Sequence, residues 1–218
     1  MHFDYLWEHF EKQLFPLHSK NNGSHPQFNF YKDANREICL ESGPKIRCQN
    51  LFQYLASFTT KPDVLVLGEA PGWRGCRFSG VPFTSEALII NAELPFQGQT
   101  SSNSTRPHAE ASASIFWRVM RSYHPNFFVW NCIPLHPYQA GRPLSNRKPT
   151  LSEIRTYLGF LEGLIDDISP EVYIAVGISA KSTAKILNLN AFSVRHPSHG
   201  GASLFEQQMQ TIFSSILD

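Results

Sequence analysis

DVLVLGEAPGWRGCRFSGVPF, residues 63–83, carries the pattern that sets the fold. Residues 64–67 form an apolar run short enough for a buried strand, and Gly68-Glu69-Ala70-Pro71-Gly72 breaks it into a loop. In an open α/β sheet, a loop leaving a strand's carboxyl end faces the crevice where ligands bind. Pro71 stiffens the turn, and Gly72 removes the side chain that would hold a ligand off the backbone. Glu69 sets one carboxylate in the middle of the loop, although the segment alone equally fits an ordinary turn carrying a solvated Glu.

Outward from this stretch, further strands are expected at Phe127–Asn131, Val172–Val176 and about Ala191–Val194. Helical spacing runs over about 110–122, 151–168 and 179–187, and Thr150 with Glu153 has capping-box spacing. Strands alternating with helices predict a parallel sheet covered on both faces. Phe3, Leu6, Trp7, Phe10, Leu14 and Phe15 mark an amphipathic helix ending before Pro16, and residues 17–46 read as an irregular covering segment. Leu51, Tyr54, Leu55 and Phe58 mark a helix feeding the first strand, while Met209, Ile212, Phe213, Ile216 and Leu217 mark a closing helix with a core face. The run SSNSTRP, residues 101–107, reads as a mobile surface loop with nothing to bury.

The length of 218 residues fits one domain, 1–218, with residues 1–60 as a covering segment. Hydrophobic residues make up 42% and charged residues 17%, an ordinary globular balance, with 17 Phe and 15 Pro suggesting an ordered core and rigid loops. A formal charge of +1 argues against a surface uniformly positive but leaves room for a local basic patch. Cys39, Cys48, Cys76 and Cys132 are too widely spaced for a CxxC metal site and are expected to be reduced thiols. With no basic-then-apolar leader and no apolar run of ~20 residues, the chain is expected to be soluble, cytoplasmic and free of membrane contact.

Four segments fall at or just after expected strand ends: Gly68 to Gly72, Val81-Pro82-Phe83, Trp130-Asn131-Cys132-Ile133-Pro134, and Arg195-His196-Pro197-Ser198-His199-Gly200-Gly201. A parallel sheet brings them to one rim. Asn131 ends an apolar run, where its carboxamide either caps a turn or reads the donor–acceptor edge of a ligand such as a pyrimidine. Phe83, fixed behind Pro82, is a core ring or a stacking wall for a planar ligand. His196 is structural or a donor to a carbonyl oxygen or anion. Arg142, Arg147, Lys148, Lys181 and Arg195 are a solvated rim or hold phosphates.

Taken together, GEAPG, a following PF, a strand ending in Asn and a late HPS resemble the uracil-DNA glycosylase superfamily, over about residues 61–205. The resemblance implies an α/β fold, a three-layer α/β/α sandwich with a central four-stranded parallel sheet, binding DNA across the strands' carboxyl ends. It implies a monofunctional glycosylase that hydrolyses the N-glycosidic bond of a flipped uracil and leaves an abasic site. Phe83 would then stack on the uracil, Asn131 would bond its polar edge, and His196 would stabilise charge on its O2. Glu69, with the loop at Gly68, Ala70, Pro71 and Gly72, would shape the pocket and position water, and Ser198 would lie beside the base. Arg142, Arg147, Lys148, Lys181, Arg195, His199 and Gly200 would face the DNA. No metal or organic cofactor is required. The expected partner is DNA carrying uracil or another deaminated base, met by a monomer that would be nucleoid-associated in a bacterium.

Several departures from the family pattern bear on mechanism. Branches that polarise water with Asp or Asn carry it where this chain has Ala70, so Glu69 becomes the expected activator, with Glu86 as a second carboxylate. Branches that exclude thymine with a Tyr carry it at the place of Gly72. The iron–sulfur branch needs an amino-terminal CxxC and cysteines at Leu135 and near Tyr157, none of which is present. His199-Gly200 stand where some branches place a leucine wedge, so flipping falls to another side chain or single-stranded DNA is preferred. Asn146 holds the place of a covalently trapping His, and turnover is expected. Other readings are a glycosylase for hypoxanthine or xanthine, a non-catalytic binder of uracil DNA motivated by Ala70, and a nucleotide enzyme using GEAPG as a phosphate turn, against which stands the lack of GxGxxG or a Walker lysine.

Overall fold

The computed structural model describes residues 4–21 and 23–217, with side chains to residue 216. Phe3 of the expected first helix and the side chain of Leu217 lie outside the described residues. In chain order the strands are β1 (Gln27–Phe28), β2 (Val64–Gly68), β3 (Phe127–Asn131), β4 (His136–Pro137), β5 (Val172–Val176) and β6 (Ala191–Val194). The helices are α1 (Asp4–His9), α2 (Gly43–Ala56), α3 (Cys76–Ser79), α4 (Glu86–Ile89), α5 (Ala111–Met120), α6 (Leu151–Thr156), α7 (Leu158–Ile168), α8 (Ile178–Ile186) and α9 (Ala202–Leu217). A π-helical stretch, Phe10–Leu14, extends α1 toward Pro16.

A four-stranded parallel sheet has the order β3-β2-β5-β6, and β1 pairs antiparallel with β4 apart from it. Every residue of β2 and β3 is buried, as strands covered on both faces must be. The period of two along β3 sorts its rings between two helical layers. Phe127 meets Phe116 of α5 and Phe213 of α9, with ring centroids 5.9 and 6.3 Å apart. Trp130, pointing the other way, stacks on Phe10 at 4.8 Å and meets Phe160 of α7 at 6.0 Å. Burial of each such ring contributes about 1.5–3 kcal/mol. Asn131 shares the face of Phe127, so it opens toward the α5 side.

Three local expectations are corrected. The segment 17–46 is not wholly irregular: it contributes β1, and α2 already starts at Gly43, with Pro44 in its first turn, where a missing N–H is harmless. The helical pattern over 151–168 breaks at Tyr157 into α6 and α7; the Tyr157 hydroxyl donates to Gln27 Oε1 at 2.5 Å, a distant partner. The 101–107 run does bury its start, since Ser101 and Ser102 are buried and donate to Glu86. The expected capping box of Thr150 and Glu153 is present.

The chain leaves β2 with β3 on one side and β5 on the other, so the order of connection reverses there. Such a switch point opens a crevice at the carboxyl ends of the strands, and the GEAPG loop leaves β2 into it.

Candidate active site

Gly68 and Asn131 are register partners at the ends of β2 and β3. Gly68 must be glycine: a Cβ there would lie 2.4 Å from Cε2 of Phe83 and 2.8 Å from Oδ1 of Asn131. The strand end thereby lets an aromatic ring and a carboxamide close over it. Phe83 holds φ at +49°, uncommon for a bulky residue, and stacks on Phe116 at 4.5 Å and 20°. The next residue anchors that turn, because Thr84 Oγ1 accepts from Trp117 Nε1 at 2.9 Å and its carbonyl accepts from Ser79 Oγ at 2.6 Å. Asn131 is 4% exposed, and no hydrogen bond from a described residue reaches its carboxamide. Its polar atoms open to the cavity, where water in the free protein or a ligand completes their valences.

His196 lies across the slot, its ring 5.9 Å from that of Phe83. The Ser198 N–H donates to His196 Nδ1 at 3.2 Å, and Ser198 Oγ lies 2.7 Å from the same nitrogen. An Nδ1 that accepts places the ring proton on Nε2. Burial, with the charges of Arg195 and His199, lowers its pKa to about 4, so at neutral pH the ring is an uncharged N–H donor. The turn that aims it depends on Gly201, where a Cβ would lie 2.1 Å from the His196 carbonyl oxygen. Gly177, at φ +88°, passes against the His196 ring.

The GEAPG loop is tied at both ends. Ser179, buried in the first turn of α8, donates to Glu69 Oε2 at 2.5 Å, which fixes the carboxylate and leaves Oε1 open. Farther along, His136 Nδ1 donates to the Pro71 carbonyl at 2.7 Å. Burial, reinforced by the charge of Arg77, lowers the His136 pKa to about 3, so this ring is a neutral brace. Its Nε2 is buried without a partner among the described residues. Asn146 accepts from the Trp73 N–H at 2.8 Å and so joins the loop to the segment before α6.

These groups enclose one cavity of about 260 Å³, lined by Glu69, Ala70, Pro71, Gly72, Phe83, Asn131, His196 and Ser198 as the sequence suggested, and also by Asn146, Arg147, Lys148 and His199. The volume suits a ligand of nucleobase size better than a larger cofactor. Gly68 lies behind the slot. Arg142, Lys181, Arg195 and Gly200 are exposed but do not line it. Arg147 is bound to Glu153 at 2.6 and 2.8 Å, so much of its charge is answered within the protein. Glu86 is corrected as a second water-activating candidate: it is wholly buried outside the cavity, taking bonds from Ser101, Ser102 and His108.

Sequence reasoning passed over Glu110 and His136. The Glu110 carboxyl lines the cavity and occupies the space that a side chain at Gly72 would take, since a Cβ there would lie 2.3 Å from its Oε1. Neither residue belongs to a local motif, and only the tertiary fold brings them to the loop. All four cysteines are free, and no group of His, Cys, Asp or Glu among the described residues is arranged to hold a metal ion. No helix among them is long and apolar enough to cross a membrane.

Residues 56–213 match the family model described as the Uracil DNA glycosylase superfamily. No curated protein sequence matches the chain. Among solved structures, the crystal structure of wild-type SMUG2 from Pedobacter heparinus is similar with a TM-score of 0.69, covering 99% of this chain and 97% of that one at 13% identity. That likeness is one of fold.

Proposed function

Because the chain belongs to the uracil DNA glycosylase superfamily, we propose that it hydrolyses the N-glycosidic bond of uracil in DNA, leaving an abasic site. The observation that carries this reading is the unclaimed Asn131 carboxamide beside a Phe83 ring already backed by Phe116, in one cavity with a neutral His196. A base turned out of the helix stacks on Phe83, and Asn131 completes its free donor and acceptor on the imide edge. As the C1′–N bond lengthens, charge gathers on the leaving base. The Nε2–H of His196 is aimed to stabilise it without carrying a competing charge of its own. Glu69, oriented by Ser179, takes the proton of the water that adds to C1′.

Lys148 and His199 at the rim, with Arg142, Lys181 and Arg195 outside it, supply phosphate contacts that position the strand, and Arg147 adds what its pairing with Glu153 leaves. No step calls on a metal or organic cofactor, and the chain acts as a cytoplasmic monomer. The test is incubation with end-labelled single- and double-stranded oligonucleotides carrying one uracil, followed by alkali. Strand cutting at the uracil supports the reading; intact strands in both forms refute it. A parallel panel with hypoxanthine and xanthine sets the base range, and tight binding without release would mark a non-catalytic binder.

A further inference from the structure

We propose that Glu110 is a catalytic acid of this cavity, its neutral carboxyl group donating a proton to the base as the glycosidic bond breaks. The proposal rests on the glycosylase reading above. Glu110 stands at the start of α5 and reaches back to the GEAPG loop. A Cβ on Gly72 would lie 2.3 Å from its Oε1, and one on Gly75 would lie 2.1 Å from its Oε2, so the carboxyl packs against two bare glycine backbones. No hydrogen bond from a described residue reaches it. The other acidic side chains around this loop are committed. Glu69 accepts from Ser179, Glu86 from Ser101, Ser102 and His108, and Glu153 from Arg147, Gln27 and Thr150. Glu110 alone among these four has a carboxyl that no hydrogen bond from a described residue reaches, and it lines the cavity.

Glu110 is half-buried, and a carboxylate that no described residue bonds gains from protonation in such a place. Burial raises its pKa to about 7 against the opposing pull of Arg74. That guanidinium lies over the Trp73 ring at 4.6 Å. The Cys76 thiol also lies beside Glu110, and burial holds it far above its usual range, so it stays neutral. Elsewhere on the cavity wall stand Glu69, Lys148, His199, the neutral His196 and the paired Arg147. An ionised Glu110 would repel a departing anionic base, whereas the acid assists it. In the step, the C1′–N pair goes to the base, which takes the Glu110 proton at a ring nitrogen or carbonyl oxygen. Water oxygen bonds to C1′ and its proton passes to Glu69. Exchange with solvent returns each carboxyl to its starting form, and the net change is hydrolysis.

The test is a single-turnover pH profile of uracil release between pH 5.5 and 9, for the native chain, Glu110→Gln and Glu110→Ala, with ¹³C NMR of the Glu110 carboxyl in the free protein. We expect the native rate to fall about tenfold per pH unit above about pH 7. Glu110→Gln, a weaker donor that does not titrate, is slower at pH 6 and loses that alkaline limb; Glu110→Ala is slower still. The carboxyl resonance should titrate near neutrality. An unchanged limb in Glu110→Gln overturns the proposal, as does a carboxyl that titrates below pH 5. If the native chain releases no base from any oligonucleotide, the glycosylase reading itself fails and takes this inference with it; an active native chain with an unaltered limb removes the role of Glu110 alone.

Discussion

Replacing Gly68 by Ala puts the proposed base slot under the most direct strain. The new methyl would sit 2.4 Å from Phe83 Cε2, 3.0 Å from Phe83 Cζ and 2.8 Å from Asn131 Oδ1. Ordinary carbon contacts are about 3.5–4.0 Å, so the ring edge must retreat by about an ångström. Phe83 has little freedom to comply, with Phe116 stacked on one face and its own backbone at φ +49°. Overpacking of this kind costs about 1–3 kcal/mol, which in a domain of this size lowers Tm by roughly 2–12 °C. The functional loss should be larger in proportion, because a displacement of about 1 Å of aligned groups costs on the order of a hundredfold in rate. Single-turnover release of uracil, measured beside thermal melting and circular dichroism, separates the two effects. A folded Gly68→Ala protein that releases uracil at the native rate would refute the idea that Phe83 and Asn131 form the slot.

Three further outcomes are expected. Ser179→Ala removes the donor that orients Glu69 and should slow release about tenfold, the value of one charge-assisted hydrogen bond, with uracil-DNA affinity unchanged; a parallel loss of affinity by titration would contradict a role in water activation. Burial alone would raise the Glu153 pKa, but bonds from Arg147, Thr150 and Gln27 hold it at about 2, below its unfolded value of about 4.3. Its stabilisation is therefore full above about pH 4.3 and lost as pH falls toward 2, so melting curves should show native Tm dropping over that window and Glu153→Gln dropping less. Each of Lys148→Ala, Lys181→Ala and Arg142→Ala should weaken DNA binding at low salt and reduce the slope of log affinity against log salt by about one; slopes identical to the native chain would exclude phosphate contacts at those positions.

β2 and β3 were legible because continuous apolar runs such as FFVWN are buried on both faces, whereas β6 is an edge strand with Phe192 and Ser193 exposed; the strand ends brought the predicted Phe83, Asn131 and His196 to one cavity. Features set by distant partners were not legible. The helix breaks at Tyr157, whose hydroxyl bonds Gln27 of the small β1–β4 ribbon, a partner far off in sequence. Ser101 and Ser102 are polar, and only the buried Glu86 that needs their N–H groups makes them interior. Arg147 reads as a phosphate contact until Glu153 is seen against it. Glu110 is in sequence merely an acidic residue before a helix, a favourable place in any protein, and its meaning comes from the missing side chains at Gly72 and Gly75. His136 was hidden in the same way, since its partner is a backbone carbonyl.

The central claim is that this cavity receives one base turned out of DNA. A co-crystal structure with an oligonucleotide carrying 2′-fluoro-2′-deoxyuridine, whose glycosidic bond resists hydrolysis, tests it most directly. We expect the uracil ring on Phe83, its imide edge within hydrogen-bond distance of the Asn131 carboxamide and its O2 at His196 Nε2. A uracil left stacked in the helix, or bound away from these three side chains, would contradict it.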